Sequence, residues 1–255
     1  MKDFYESYYA AIAHSPAHHA FCERVFGQDL GQHGFMDQAQ LELLLQVTQL
    51  NAAQQALDLG CGNGRIAEYL SDRSGAHVTG IDYIAYAIEQ AQIRTREKAD
   101  RLAFQVGDIN QLNLPRDAFD LVILIDSIYF STDYAVTIRE LKLALRANGQ
   151  MGIFFSHGRE PWVPKEAFPK ESLPADHTPL AQALQANDLK FRAWDLTSQD
   201  YELAQRRKAV LADLKPQFEA EGNLFIYENR MGDAQGISQA IEEGLHARYL
   251  YQVFK

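Results

Sequence analysis

The chain has 255 residues, 47% of them hydrophobic and 23% charged, with a formal net charge of −10. That is globular composition, enough for one large domain or two small ones. Its longest clean apolar runs, such as 121–125, fall far short of the ~20 residues a membrane-spanning helix needs, and the acidic balance disfavours general binding to nucleic acid.

The polar and aromatic start carries no signal-peptide core. The two cysteines, Cys22 and Cys61, make neither a disulfide framework nor a zinc-ligand spacing, so a reducing cytoplasm is the expected compartment. Residues 1–26 read as helical, with Phe4, Tyr5, Tyr8, Tyr9 and Ile12 at helical spacing and a second apolar set after Pro16. His14 and His18 stand four apart, but Pro16 lies between them and no acid pattern accompanies them, so no metal site is expected. Residues 27–34 hold three glycines and read as a loop. Asp37 can cap a helix start, with Gln40 as capping-box partner and Leu41, Leu44, Leu45 and Thr48 on one face.

From residue 55 the pattern alternates. Strands are expected at 56–59, 76–81, 102–106, 119–125 and 150–155, and helices at 65–73, 83–98 and 133–146, the last stopping at Asn148-Gly149. Strands separated by helices predict a doubly wound α/β sheet, whose ligand lies at the strand carboxyl ends. Residues 158–177 carry Pro161, Pro164, Pro169 and Pro174 and read as a lid loop after the fifth strand. Thr178-Pro179 restarts a helix. A sixth strand is expected at 190–196, helices at 198–221 and around 233–243, and an alternating final strand at 247–254. The basic clusters at 94–98 and Arg206-Arg207-Lys208 read as solvated helix faces.

The chemistry-bearing residues lie at the strand ends. Asp58-Leu59-Gly60-Cys61-Gly62-Asn63-Gly64 joins the first strand to a helix through a turn that lets a ligand approach the backbone. Asp82 ends the second strand, where a carboxylate can accept both hydroxyls of a ribose. Asp108 follows the third strand, where an acid can accept from an adenine amino group. Asp126 follows the apolar fourth strand.

On these residues the chain resembles the class I S-adenosylmethionine (SAM)-dependent methyltransferases, over roughly residues 55–155. The resemblance implies a Rossmann-like sheet of seven strands, the last antiparallel and inserted between the fifth and sixth. It also implies SAM as methyl donor, S-adenosylhomocysteine (SAH) as product, and donor contacts from Asp58, Gly60, Cys61, Gly62, Asp82, Tyr83, Asp108, Ile109 and Ile125. The turn Gln32-His33-Gly34-Phe35 is similar to one in the tocopherol, sarcosine and natural-product methyltransferases, which favours a small-molecule acceptor. Residues 1–50 would then form a helical cap, and 51–255 the core with its lid and terminal strands.

In-line displacement at a sulfonium requires alignment and water exclusion, with a base where the acceptor carries a proton. His33, Asp126 and His157 are the candidates for that chemistry, and Tyr9, Tyr129 and Trp162 for the acceptor wall. RNA or protein acceptors stay open, as does a SAM-binding protein without catalysis. A nicotinamide oxidoreductase fits less well, because two-residue glycine steps replace the G-x-G-x-x-G fingerprint.

Overall fold

The computed structural model describes residues 2–159 and 162–255. Two N-terminal helices, α1 (Lys2–Ile12) and α2 (Pro16–Phe26), meet at Ser15, whose hydroxyl caps α2 while Pro16 takes its first position. Asp37 caps α3 (Gln38–Thr48) by accepting from the Gln40 amide at 3.0 Å. The reciprocal bond of a capping box is not made: both side-chain polar atoms of Gln40 are buried without a partner.

The core follows as β1 (Gln55–Leu59), α4 (Arg65–Ser74), β2 (His77–Asp82), α5 (Ala85–Arg94), β3 (Leu102–Val106), β4 (Phe119–Ile125), α6 (Tyr134–Ala144), β5 (Leu145–Gly158), α7 (Pro179–Ala186), β6 (Lys190–Asp195), α8 (Thr197–Ala220), α9 (Leu224–Glu242) and β7 (His246–Phe254). The strands form one sheet in the order β3-β2-β1-β4-β5-β7-β6, and β7 runs antiparallel to both of its neighbours. This is the doubly wound, Rossmann-like sheet that the resemblance implies.

Along β4 the side chains divide by the pleat. Leu121 and Ile123 pack with Leu41, Leu44, Leu70 and Ile88 on one face, and Val122 and Leu124 with Ile138, Leu141 and Leu184 on the other. Both faces are covered, so the strand is apolar from Leu121 to Ile125, and Asp120 near its start is half-buried, accepting from the Gln55 amide and Arg146. β7 follows the same rule: Ala247 through Val253 are all buried, so the expected alternation is absent.

The end of α6 also departs from expectation. Asn148-Gly149 does not stop the helix; α6 ends at Ala144 and β5 begins at once. Leu145 pairs with Phe119 and Gln150 with Leu121, and the intervening bulge is made by Asn148 with φ +64°. α9 starts at Leu224, well before 233, because its apolar residues are spent on other helices rather than on the sheet. Tyr8, Phe21, Leu211, Phe218 and Ile226 form a third cluster joining α1, α2, α8 and α9 into a helical layer. Among the described residues no helix is long and apolar enough to cross a membrane.

A buried ion pair ties this layer to the sheet. Arg248 on β7 donates to both oxygens of Asp126 at 2.7 and 3.0 Å and to Ser156 Oγ at 3.0 Å. Its Nε lies 4.0 Å from Asp200 in the first turn of α8, which also meets His246 at 3.2 Å. Burial opposes the guanidinium charge, but the two carboxylates outweigh it and hold Arg248 above its ordinary range. Arg248→Met would strand two buried carboxylates. It is expected to cost about 3–5 kcal/mol of stability, measured by urea denaturation; a loss below about 1 kcal/mol would show that the pair is dispensable.

Candidate active site

At the end of β1 the chain turns under tight constraint. The amides of Gly60 and Cys61 both donate to Ile81 O, at 2.7 and 3.1 Å, folding the loop over β2. Gly60 and Gly64 have φ of +83° and +72°, the left-handed region that glycine adopts without cost. Space is closed as well. A Cβ on Gly60 would lie 2.3 Å from Ser127 Cβ, and one on Gly64 2.4 Å from the Phe104 ring. The spacing of glycines is therefore fixed by packing as much as by the turn.

Three carboxylates surround this loop. Asp82 accepts from the Gly62 amide through Oδ2 and from the Ile84 amide through Oδ1, both at 2.8 Å. Asp108 accepts from the Asn110 amide at 2.8 Å, while Asn110 reaches Phe130 O and Thr132, joining the β3 loop to the segment after β4. Asp58 is buried and its Oδ2 has no hydrogen-bond partner. Burial, with the nearby Asp82 charge, pushes its carboxyl up to about 7.

These groups line one cavity of about 560 Å³ at the carboxyl ends of β1, β2, β3 and β4. The rest of the lining comes from other parts of the chain: Lys2, Tyr5 and Tyr9 of α1, the 30–35 loop, Tyr129 and Phe130 after β4, and Asp233 of α9. Asp126, at φ +52°, holds the 33–35 turn in place. Its Oδ2 accepts from the Phe35 amide at 2.8 Å and lies where a Cβ on Gly34 would come within 2.9 Å. Arg230 of α9 donates to the carbonyls of His33 and Gln32 and to the Tyr8 hydroxyl. His33 lines the cavity with its ring 5.0 Å from Tyr5 and 4.8 Å from Tyr8. Burial, then the Arg230 and Arg207 charges, push its imidazole well below the usual range, so it is neutral.

The structure brings together Asp58, Gly60, Cys61, Gly62, Asp82, Tyr83, Asp108, Ile109 and Ile125 around the cavity, with His33, Asp126, Tyr9 and Tyr129. Two expected members lie elsewhere. His157 is not in the lining; it bonds Ser172 Oγ at 2.8 Å and stacks on Phe155, because β5 continues past the rim to Gly158. Trp162 is 78% exposed and does not reach the cavity.

The rest of the expected lid behaves alike. Leu173 O and Ala175 O accept from the Tyr249 and Tyr251 hydroxyls, which pins 173–175 to β7, and no described residue of 158–177 lines the cavity. Pro161 lies outside the described residues. Arg207, read as solvated, is 1% exposed and stacks 4.5 Å from the Phe35 ring centroid. Its place four residues after Leu203 and four before Leu211 is the signal that puts it on the buried face. Asp233 was not singled out in the sequence; only the fold brings α9 to the cavity.

A family model described as a methyltransferase domain matches residues 50–203. Methyltransferase GfsG of Streptomyces halstedii is 32% identical over 114 residues, 44% of this chain and 41% of its own length. The 27-O-demethylrifamycin SV methyltransferase of Amycolatopsis mediterranei is 28% identical over 143 residues, 51% of this chain and 52% of its own. The chain thus matches about half of these relatives' length or less. Among solved structures, the phosphoethanolamine N-methyltransferase 2 of Haemonchus contortus, in complex with phosphomonomethylethanolamine and SAH, superposes with a TM-score of 0.77 at 18% identity, over 92% of this chain and 56% of that one. The chain belongs to the methyltransferase domain family, with the class I, SAM-dependent fold.

The raised Asp58 carboxyl has a measurable consequence. The folded protein holds this proton more tightly than the unfolded chain, so the group costs no stability below about pH 4 and progressively more up to about pH 7. Without ligand, Asp58→Asn should gain on the wild type across that interval, by at most about 1.4 kcal/mol per pH unit, and then level off. Urea denaturation at pH 5 and pH 8 tests this; an equal difference at the two pH values would refute the assignment.

Proposed function

We propose that the protein transfers the methyl group of SAM to a small-molecule acceptor by in-line displacement. The observation that carries the reading is the two-sided cavity. One side is the glycine loop with Asp58, Asp82 and Asp108, and the rest of the lining is rich in aromatic residues from α1, the 30–35 loop and the segment after β4, with Asp233 of α9 beside them. In this reading Asp82 holds the ribose hydroxyls and Asp108 the adenine amino group, with Tyr83 and Ile109 beside them. Gly60, Cys61, Gly62 and Ile125 border the rest of the donor, and the unpartnered Asp58 Oδ2 takes a donor group from it. When bound, SAM supplies an electrophilic methyl on a sulfonium.

The chain's own residues then have limited tasks. Tyr9 and Tyr129 exclude water and help align the acceptor. His33, neutral in its site, is able to take a proton from an acceptor hydroxyl or amine. Asp126 acts indirectly, because Arg248 and the Phe35 amide already occupy its carboxylate. The relatives, which include an O-demethylrifamycin methyltransferase, a phosphoethanolamine N-methyltransferase and sterol 24-C-methyltransferases, support a small acceptor and leave its atom open among oxygen, nitrogen and carbon.

The first test is labelled-methyl transfer from SAM into fractionated extract, counting metabolites, lipids, RNA and protein separately. Label in the metabolite fraction is expected; label confined to RNA or protein would overturn the acceptor class. Once a product is known, two variants should separate the two sides. Asp82→Ala is expected to weaken SAH binding by about tenfold or more, through loss of charged hydrogen bonds. His33→Ala should lower kcat by about a hundredfold while leaving SAH affinity nearly unchanged. Calorimetry and initial rates read both; full activity of His33→Ala would remove it as the base.

A further inference from the structure

Taking the glycine loop as the donor site proposed above, we infer that Arg94 of α5 is a positioning residue for SAM: it holds the loop ready for the donor without touching the donor itself. The sequence sets Arg94 in a basic cluster read as solvated, yet its side chain is only 25% exposed. It stands in the last turn of α5 and turns back under the connection between β1 and α4. There Nη2 donates to the Asn63 carbonyl and Nε to Glu68 Oε2, in the first turn of α4, both at 2.8 Å. Lys98 fixes Glu68 in turn, meeting its other oxygen at 2.8 Å and Asp72 at 2.7 Å. Burial opposes the Glu68 charge, but Lys98 and Arg94 outweigh it and hold the carboxyl below its usual range. Arg94 is not in the cavity lining, whereas Asn63 is.

The other hydrogen bonds of the loop show what this one adds. The amides of Gly60 and Cys61 are spent on Ile81 O, that of Gly62 on Asp82 and that of Arg65 on Asn63 Oδ1. The Gly64 amide donates to Cys61 O at 2.9 Å and closes the turn 61–64. A carbonyl and the amide that follows it share one peptide plane and point opposite ways. Holding Asn63 O from outside therefore turns the Gly64 amide inward, onto Cys61 O, and sets Gly64 at φ +72° as the start of α4. Asn63 also lends Nδ2 to Gly31 O at 3.3 Å, so the residue that Arg94 grips joins the glycine loop to the 30–35 loop. Gly62 and Gly64 lose more freedom on ordering than other residues would. A loop held in place beforehand spares the donor that ordering cost, and a loop released from Arg94 takes it out of donor affinity.

The test is SAH affinity by calorimetry on the full chain, beside urea denaturation of the same variants. Arg94→Met keeps the aliphatic stem and removes both bonds; it is expected to bind SAH about tenfold more weakly. Lys98→Met breaks the neighbouring ion pairs of Glu68 and leaves the Asn63 bond. It should lose stability in urea while binding SAH within about twofold of the wild type. A purely structural Arg94 would behave as Lys98 does, so SAH affinity separates the two roles. Arg94→Lys keeps a cation beside Glu68 without the fork that serves both partners, and should bind SAH about threefold more weakly. It carries the test if Arg94→Met does not fold. Wild-type SAH affinity in Arg94→Met or in Arg94→Lys, or a loss in Lys98→Met as large as in Arg94→Met, would overturn the role of Arg94. Failure of the wild type to bind SAH would instead overturn the donor reading of the loop.

Discussion

The packing of the 33–35 turn and the start of α8 against the sheet depends on a single charge, the buried guanidinium of Arg248. It stands on β7, the strand inserted between β5 and β6, and reaches across β5 to Asp126 at the end of β4. Asp126 in turn fixes the 33–35 turn through the Phe35 amide, and Asp200 draws the start of α8 to the same charge. One cation thus sets the distance between sheet, loop and helical layer. Burying such a group is expensive unless it is paired on several sides. Here two carboxylates and the Ser156 hydroxyl surround it, and the rings of Phe35 and Phe154 lie within 6 Å of it.

The two halves of the cavity are built by different means, which decides what the sequence reveals. The side built on the glycine loop is local. β1, the glycine loop and α4 are continuous in sequence, and Asp82 and Asp108 end the next two strands. Its residues keep their spacing wherever the sheet forms, so Asp58, Gly60, Gly62, Asp82 and Asp108 are readable without coordinates. The rest of the lining is assembled from segments far apart in the chain. Arg230 bonds His33 and Tyr8, Arg207 stacks on Phe35, and Tyr5 meets Phe130 at 5.8 Å. No local pattern encodes those meetings. The buried Arg207 illustrates the limit: beside Arg206 and Lys208 it looks like part of a solvated cluster, and only its register with Leu203 and Leu211 places it inside. Asp233 gives no signal in the sequence at all, since its meaning depends on where α9 lies.

The misplacement of His157 and Trp162 has a topological cause. In a doubly wound sheet the ligand crevice opens where the strand order reverses, here between β1 and β4. The ends of β1 and β4 and the neighbouring ends of β2 and β3 face that crevice. The end of β5 does not, although it runs parallel to them. From Gly152 to Gly158 it is paired with the incoming β7, and the chain from Leu173 to Ala175 is tied to Tyr249 and Tyr251 on that side. Being at a strand carboxyl end is therefore not sufficient: β3, two strands from the switch point, reaches the cavity through residues 107–110, whereas β5, beside β4, continues to Gly158 in its pairing with β7 and does not. The pairing of β5 with the antiparallel β7 thus leaves the rest of the cavity lining to α1, the 30–35 loop, the segment after β4 and Asp233 of α9.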